Sequence, residues 1–163
     1  MIAIALGANL PSSAGPPADT LRAALSSLAG RGITIERVSG FYASAAWPDP
    51  SDPVYVNAAA SLRTALGPSD LLRVLHAVEG SFGRERGRPN APRPLDLDLL
   101  DYESLIQAGP PALPHPRMAE RLFVLLPLRD IAPRWRHPAT GTDVASLIAS
   151  APPMDIRALA DPA

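Results

Sequence analysis

The sequence predicts an α+β domain, a ferredoxin-like βαββαβ antiparallel sheet with helices on one face and additional C-terminal elements. Three observations carry this. Apolar runs of strand length and two amphipathic segments of helix length follow one another as strand, helix, strand, strand, helix, strand. Glycine, proline and asparagine punctuate the junctions. The length of 163 residues suits one domain, 1–163, able to bury about two-thirds of its unfolded surface.

Ile2–Leu6 reads as a short buried strand ended by the turn residues Gly7-Ala8-Asn9. Asp19–Ala29 carries Leu21, Leu25 and Leu28 at the spacing of one helical face, and Gly30 supplies the stop. Ile33–Tyr42 alternates Ile33, Ile35 and Phe41 with polar residues, as a half-buried strand does. A proline loop leads to a further strand, Tyr55–Leu66. Pro68 then suits a first helical position and Asp70 the first turn of a helix whose core stripe is Leu71, Leu75, Val78 and Phe82. Gly83 ends it. An arginine-rich loop precedes the run RPLDLDLLDY, Arg93–Tyr102, read as a strand. The apolar run Arg121–Leu128 is expected to form the last strand, Val144–Ile148 a short helix, and Asp161-Pro162-Ala163 a frayed end.

Composition removes several classes of function. The formal net charge of −1 gives no basic field for nucleic acid. Absence of cysteine excludes disulfide scaffolds, thiol catalysis and cysteine metal sites, and the three histidines lack zinc-ligand spacing. No segment reaches the ~20 apolar residues of a membrane span, and the start lacks signal-peptide character. A cytoplasmic monomer that touches neither nucleic acid nor membrane is expected.

In a strand, residues two apart share a face, so Asp96 and Asp98 stand together while Leu95, Leu97 and Leu99 face the other way. Two carboxylates that close repel one another unless a cation lies between them, and magnesium is the usual cation beside phosphate. By itself the pair also fits a solvated strand face. Arg84, Arg86, Arg88 and Arg93 lie just ahead of it. They suit either surface ion pairs of little energetic weight or a polyphosphate site gripped by guanidinium forks. The chain has no Walker loop and no lysine at all, so any phosphate clamp must use arginine, histidine or backbone amides.

Other groupings are less specific. Leu72, His76 and Glu79 form a stripe at i, i+4, i+7, which fits an ordinary helix boundary or a nucleotide contact. Ser44-Ala45-Ala46-Trp47 and Tyr55-Val56-Asn57 flank the first proline loop, and Asn57 offers a donor and an acceptor suited to a heterocycle edge. His115 sits between two prolines, shortly before Arg121.

These pieces together resemble the 6-hydroxymethyl-7,8-dihydropterin pyrophosphokinases of folate biosynthesis. The matching blocks are LGANL (Leu6–Leu10), FYASAAW (Phe41–Trp47), YVNAA (Tyr55–Ala59), SDLLRVLHAVEGSFGRER (Ser69–Arg86), NAPRPLDLDLL (Asn90–Leu100) and LPHPRMAERLFVLLPL (Leu113–Leu128), in the family's order. The resemblance implies transfer of the pyrophosphoryl group of ATP to the pterin's hydroxymethyl oxygen, with release of AMP. It implies two magnesium ions on Asp96 and Asp98, and Arg84 and Arg93 as catalytic contacts to the migrating phosphates. Arg86, Leu99, His115 and Arg121 match nucleotide-contacting positions, as do Leu72, His76 and Glu79. The pterin is expected to stack on Phe123 and to hydrogen-bond to Asn57, with Ser44, Ala45, Trp47 and Tyr55 completing the wall. The chain departs from the family in three places: Pro89-Asn90-Ala91-Pro92 stands in a shorter loop where many relatives carry a tryptophan, Asp101 replaces a usual aliphatic residue, and Pro116 stands where some relatives have an aromatic. An RNA-binding sheet is disfavoured by charge and by the lack of an aromatic motif. A ligand-sensing domain without turnover remains open, and an activity assay separates it.

Overall fold

Strand β1, Ile2–Ala8, is buried along its whole length because it pairs antiparallel with β4 (Tyr55–Arg63) on one side and β5 (Asp96–Tyr102) on the other. The computed structural model describes residues 1–85, 87 and 89–160. Its six strands form one antiparallel sheet in the order β5-β1-β4-β3-β6, with β2 also pairing with β4. The chain order is β1, α1 (Pro17–Ala29), β2 (Thr34–Val38), β3 (Tyr42–Ser44), β4, α2 (Pro68–Ser81), β5, α3 (Leu122–Ile131), α4 (Val144–Ser150) and β6 (Ile156–Ala158). The expected C-terminal fraying at 161–163 falls outside the described residues.

Residue size along β1 divides the core. Ile2, Ile4 and Leu6 pack with Leu21 and Leu28 of α1 and with Leu71 and Leu75 of α2. Ala3 and Ala5, with Ala59 of β4, face the other way and let α3 approach closely through Val124, Leu125 and Leu128. Both α1 and α2 open with proline in the first turn, where its missing amide costs nothing. The buried positions of α2 include Leu71, Leu75 and Val78, as the sequence pattern predicts.

Two expected elements differ. The strand expected at Ile33–Tyr42 is broken into β2 and β3 at Ser39-Gly40. There the Ser39 hydroxyl accepts the Ala59 amide at 2.8 Å, and the Gly40 amide donates to Asp130 Oδ2 at 3.2 Å. Side chains have replaced ladder bonds, so the chain bends before pairing again. The run Arg121–Leu128, expected to be the last strand, is instead the start of helix α3, and the final strand is β6. Helices therefore cover both faces of the sheet, not one. A continuous apolar run carries no period to separate helix from strand, and Pro127 argues misleadingly against helix. The missing Pro127 amide falls opposite the Phe123 carbonyl. The short helix expected at Val144–Ile148 is present, its Asp143 cap accepting the Ser146 amide at 2.7 Å.

The register of β5 slips against β1 between Ala3 and Ile4, a bulge that turns Asp101 toward the α3 layer. Asp101 is 3% exposed and accepts from the Trp135 indole at 2.8 Å and the Ser104 amide at 2.9 Å. The acid at this position ties β5 to the C-terminal layer. Asp101→Ala strands a buried indole N–H and is expected to cost about 2–4 kcal/mol. Thermal denaturation should show a fall of roughly 4–16 °C, whereas an unchanged midpoint would mean the pair is energetically idle.

Candidate active site

Asp96 and Asp98 share the α3-facing side of β5, while Leu95, Leu97 and Leu99 are buried in the opposite core. Directly across the ladder lie Gly7, opposite Asp96, and Ala5, opposite Asp98. These small residues leave open the space above them. Gly7 in turn faces Asn57, which faces Tyr42. One row across the sheet therefore runs carboxylate, glycine, amide, tyrosine. A side-chain methyl at Gly7 would stand 3.4 Å from Asn57 Oδ1.

Above this row lies a cavity of about 430 Å³. Asp96, Asp98, Arg93 and Arg121 line one part of it; Ser44, Ala45, Trp47, Tyr55, Asn57 and Phe123 line the rest. The Asn57 Nδ2 donates to Ser44 Oγ at 2.8 Å, which fixes the orientation of the amide. Each aromatic of the wall is met by a guanidinium. Arg93 lies 6.0 Å from the Tyr55 ring centroid, Arg121 5.5 Å from that of Phe123, and Arg117 5.9 Å from that of Trp47. Trp47 is 59% exposed, a large apolar surface held out at the rim.

The charges are tightly arranged. Arg84 Nη1 donates to Glu79 Oε2 and to Asp96 Oδ1, each at 2.5 Å. Glu79 is buried and also accepts the Leu97 amide at 2.8 Å, so α2 grips the β5 backbone between the two aspartates. Arg93 stands 3.7 Å from Asp96 Oδ2 and donates from Nε to the Tyr55 hydroxyl at 3.2 Å. Its backbone is pinned by Asn9, whose Oδ1 accepts the Arg93 amide at 2.8 Å. That contact explains the polar end of the first sequence block. Burial opposes the charge of Arg93, yet Asp96 and Tyr55 outweigh it and hold the pKa above the ordinary arginine value. Arg121 is lowered by burial and by Arg117.

Burial, and then the neighbouring Asp96, push the Asp98 carboxyl up to about 6, although Arg121, Arg84 and Arg93 pull the other way. His115 is lowered by burial and by Arg121. Its Nδ1 accepts the Arg117 amide at 3.2 Å, which suits a neutral ring protonated at Nε2. Its own amide donates to Leu100 O at 2.9 Å, holding the His115 loop against the β5 edge.

Not every residue singled out by sequence meets in this cavity. Arg84 and Glu79 lie behind Asp96. Leu72 is half-buried and His76 exposed on α2, which covers the other face of the sheet, and Leu99 of β5 is buried in the core on that face. Arg86 lies outside the described residues. Arg117, which lines the cavity over Trp47, has no role in the sequence reading although it lies in the block Leu113–Leu128. Sequence reasoning missed Ala5 and Gly7 as the floor, whose only signal is small size. It also missed Pro152, Pro153 and Met154, which line the cavity from the C-terminal segment.

Fold and site together suit a kinase-type transferase: carboxylates and arginines line one part of the cavity and an aromatic, amide-edged wall the rest. The pattern of the 7,8-dihydro-6-hydroxymethylpterin-pyrophosphokinase (HPPK) family matches residues 3–133. A 2-amino-4-hydroxy-6-hydroxymethyldihydropteridine pyrophosphokinase of Synechocystis sp. is 42% identical over 147 residues, 89% of this chain and 73% of that protein. One of the same description from Pseudomonas aeruginosa is 38% identical over 151 residues, 91% of this chain and 90% of that one. The mitochondrial folate synthesis bifunctional protein of Arabidopsis thaliana is 40% identical over 131 residues, and the match covers 80% of this chain but 23% of that one. A solved HPPK-DHPS in complex with substrates superposes with a TM-score of 0.65 at 12% identity, over 91% of this chain and 42% of that chain, a likeness of fold. The chain belongs to the HPPK family, and its activity is pyrophosphoryl transfer from ATP to 6-hydroxymethyl-7,8-dihydropterin in folate synthesis.

Proposed function

We propose that the transfer takes place in the 430 Å³ cavity, with the pterin against Phe123 and Asn57 and the ATP phosphates between Asp96, Asp98, Arg93 and Arg121. The observation that carries this reading is the sharing of one cavity by the carboxylate pair and the Asn57 wall, one strand apart across Gly7. The donor set suits magnesium. Among the described residues no third histidine, cysteine or acidic residue joins the pair, and magnesium commonly takes one or two carboxylates and fills its octahedron with water and phosphate oxygens. Asp96 and Asp98 would hold two such ions, which would supply neutralisation of charge on the phosphate oxygens.

The chain's own residues orient and exclude. Asn57, fixed by Ser44, presents its amide edge to the heterocycle, while Phe123 and Tyr55 give it apolar surface. Arg93 and Arg121 offer forks to non-bridging oxygens. Arg84 acts through Asp96, holding its carboxylate in one orientation. Lining up the pterin oxygen with the β-phosphorus then supplies much of the barrier reduction, and no strong protein base is needed. Because β5 is an edge strand, a nucleotide held at Asp96 and Asp98 can pass its edge beside His115 toward Leu72 and His76 on α2. That path reconciles the residues inside the cavity with those outside it.

The βαββαβ series β1-α1-β2-β4-α2-β5, with neighbours β5-β1-β4-β2, supports a ferredoxin-like core. No described helix is long and apolar enough to cross a membrane. A monomeric cytoplasmic enzyme is the reading that accompanies this proposal. Incubation with ATP, magnesium and the reduced pterin should release AMP in step with pterin consumed. AMP release that ignores pterin would contradict the proposal.

A further inference from the structure

We infer that Met154, carried on the segment Pro152–Asp155, is a specificity-determining wall of the acceptor half of the cavity; this rests on the reading that the pterin lies beside Asn57 and Phe123. The segment is stitched to the side of the site that would hold the heterocycle. Strand β6 pairs with β3 through Ser44↔Ile156, Ala43↔Arg157 and Tyr42↔Ala158. The ladder is prolonged on both sides, by the Ala45 amide donating to Asp155 O at 3.1 Å and the Leu159 amide donating to Phe41 O at 2.8 Å. Backbone bonds thus bring Met154 beside Ala45 without any contribution from its own side chain.

Pro152, Pro153 and Met154 line the cavity together with Ser44, Ala45 and Trp47. Their chemistry fits a neutral flat ring. Two successive prolines have restricted backbones and no amide to satisfy, so the stretch offers carbon surface at small entropic cost. The thioether of methionine is polarizable and makes favourable contact with aromatic ring edges. The chain has eight aromatics in all, so non-aromatic surface must supplement stacking. None of the three side chains carries charge, whereas the aromatic residues of the wall, Trp47, Tyr55 and Phe123, are each met by an arginine. The wall thus acts by its place: it stands beside Ser44, Ala45 and Trp47 on the acceptor side, so its removal weakens acceptor binding and leaves nucleotide binding unchanged.

The test measures two affinities on each protein: oxidised 6-hydroxymethylpterin, a non-reacting probe, in the presence of magnesium and a non-hydrolysable ATP analogue, and that analogue alone. Met154→Ala should weaken pterin binding about three- to tenfold and raise the pterin KM by the same factor, with analogue affinity unchanged. Met154→Leu, which keeps the volume, should stay within about twofold of the parent. Parental pterin affinity in Met154→Ala, or equal weakening of both ligands, overturns the inference. A parent protein that binds the analogue but no pterin overturns the underlying site reading as well, and so separates the two failures.

Discussion

Asp98→Asn is expected to reduce turnover by about 10³-fold or more while leaving the unliganded protein at least as stable as the parent at neutral pH. The loss of activity follows from removing half of a carboxylate pair that no third metal-ligating side chain joins among the described residues. The stability effect has its own sign. The Asp98 carboxyl rises from 3.8 to about 6 on folding. The native state then binds the proton more tightly than the unfolded chain, so ionising this group opposes folding. Its contribution is absent below the unfolded value, grows as pH rises from about 4 to 6, and is complete above 6, amounting to on the order of 1–3 kcal/mol. Asparagine removes that penalty. The difference in melting temperature, variant minus parent, should therefore increase between pH 4 and pH 7. Magnesium-ATP should raise the melting temperature of the parent and do so far less in the variant. Retained turnover would show that the pair holds no essential ion, and a variant less stable than the parent at pH 7 would show that the pair is already compensated.

Arg84 carries the second large effect, because one nitrogen serves two carboxylates. The side chain of Glu79 is 4% exposed, and that of Arg84 16%. Arg84→Ala removes a cation from a buried acid that keeps its bond to the Leu97 amide, and is expected to cost about 2–4 kcal/mol of stability. Arg84→Lys restores a charge without the planar fork. Much of the stability should return, yet turnover should remain about 10²-fold down because Asp96 is no longer held in one orientation. Steady-state kinetics beside thermal melts on both variants separates the two roles. Parental turnover in Arg84→Lys would mean that charge alone suffices at this position.

How much of this was legible in the sequence depends on whether the pattern is local. The period of two in RPLDLDLLDY placed Asp96 and Asp98 on one face, and the ladder confirms that face. The amphipathic spacing of α1 and α2 was equally readable. Helix α3 was not, because its leucine-rich run has no polar side to reveal a period. Nor was the break at Ser39, where a hydroxyl takes the place of a ladder bond and the amide that donates to it lies on β4. Long-range partnerships were invisible for the same reason: Arg84 with Glu79 and Asp96, Asp101 with Trp135, and Asn9 with Arg93 join segments whose proximity only the sheet order creates. Met154 left no trace at all, since a lone methionine in a proline segment acquires meaning only when β6 lies beside β3.

The most direct test of the central claim follows the β-phosphorus. ATP labelled at the β-position is incubated with magnesium, the protein and 6-hydroxymethyl-7,8-dihydropterin, and the products are separated. Pyrophosphoryl transfer places the label on the pterin, together with one unlabelled AMP per pterin consumed. Label recovered in ADP, with an unlabelled phosphopterin, would contradict the account.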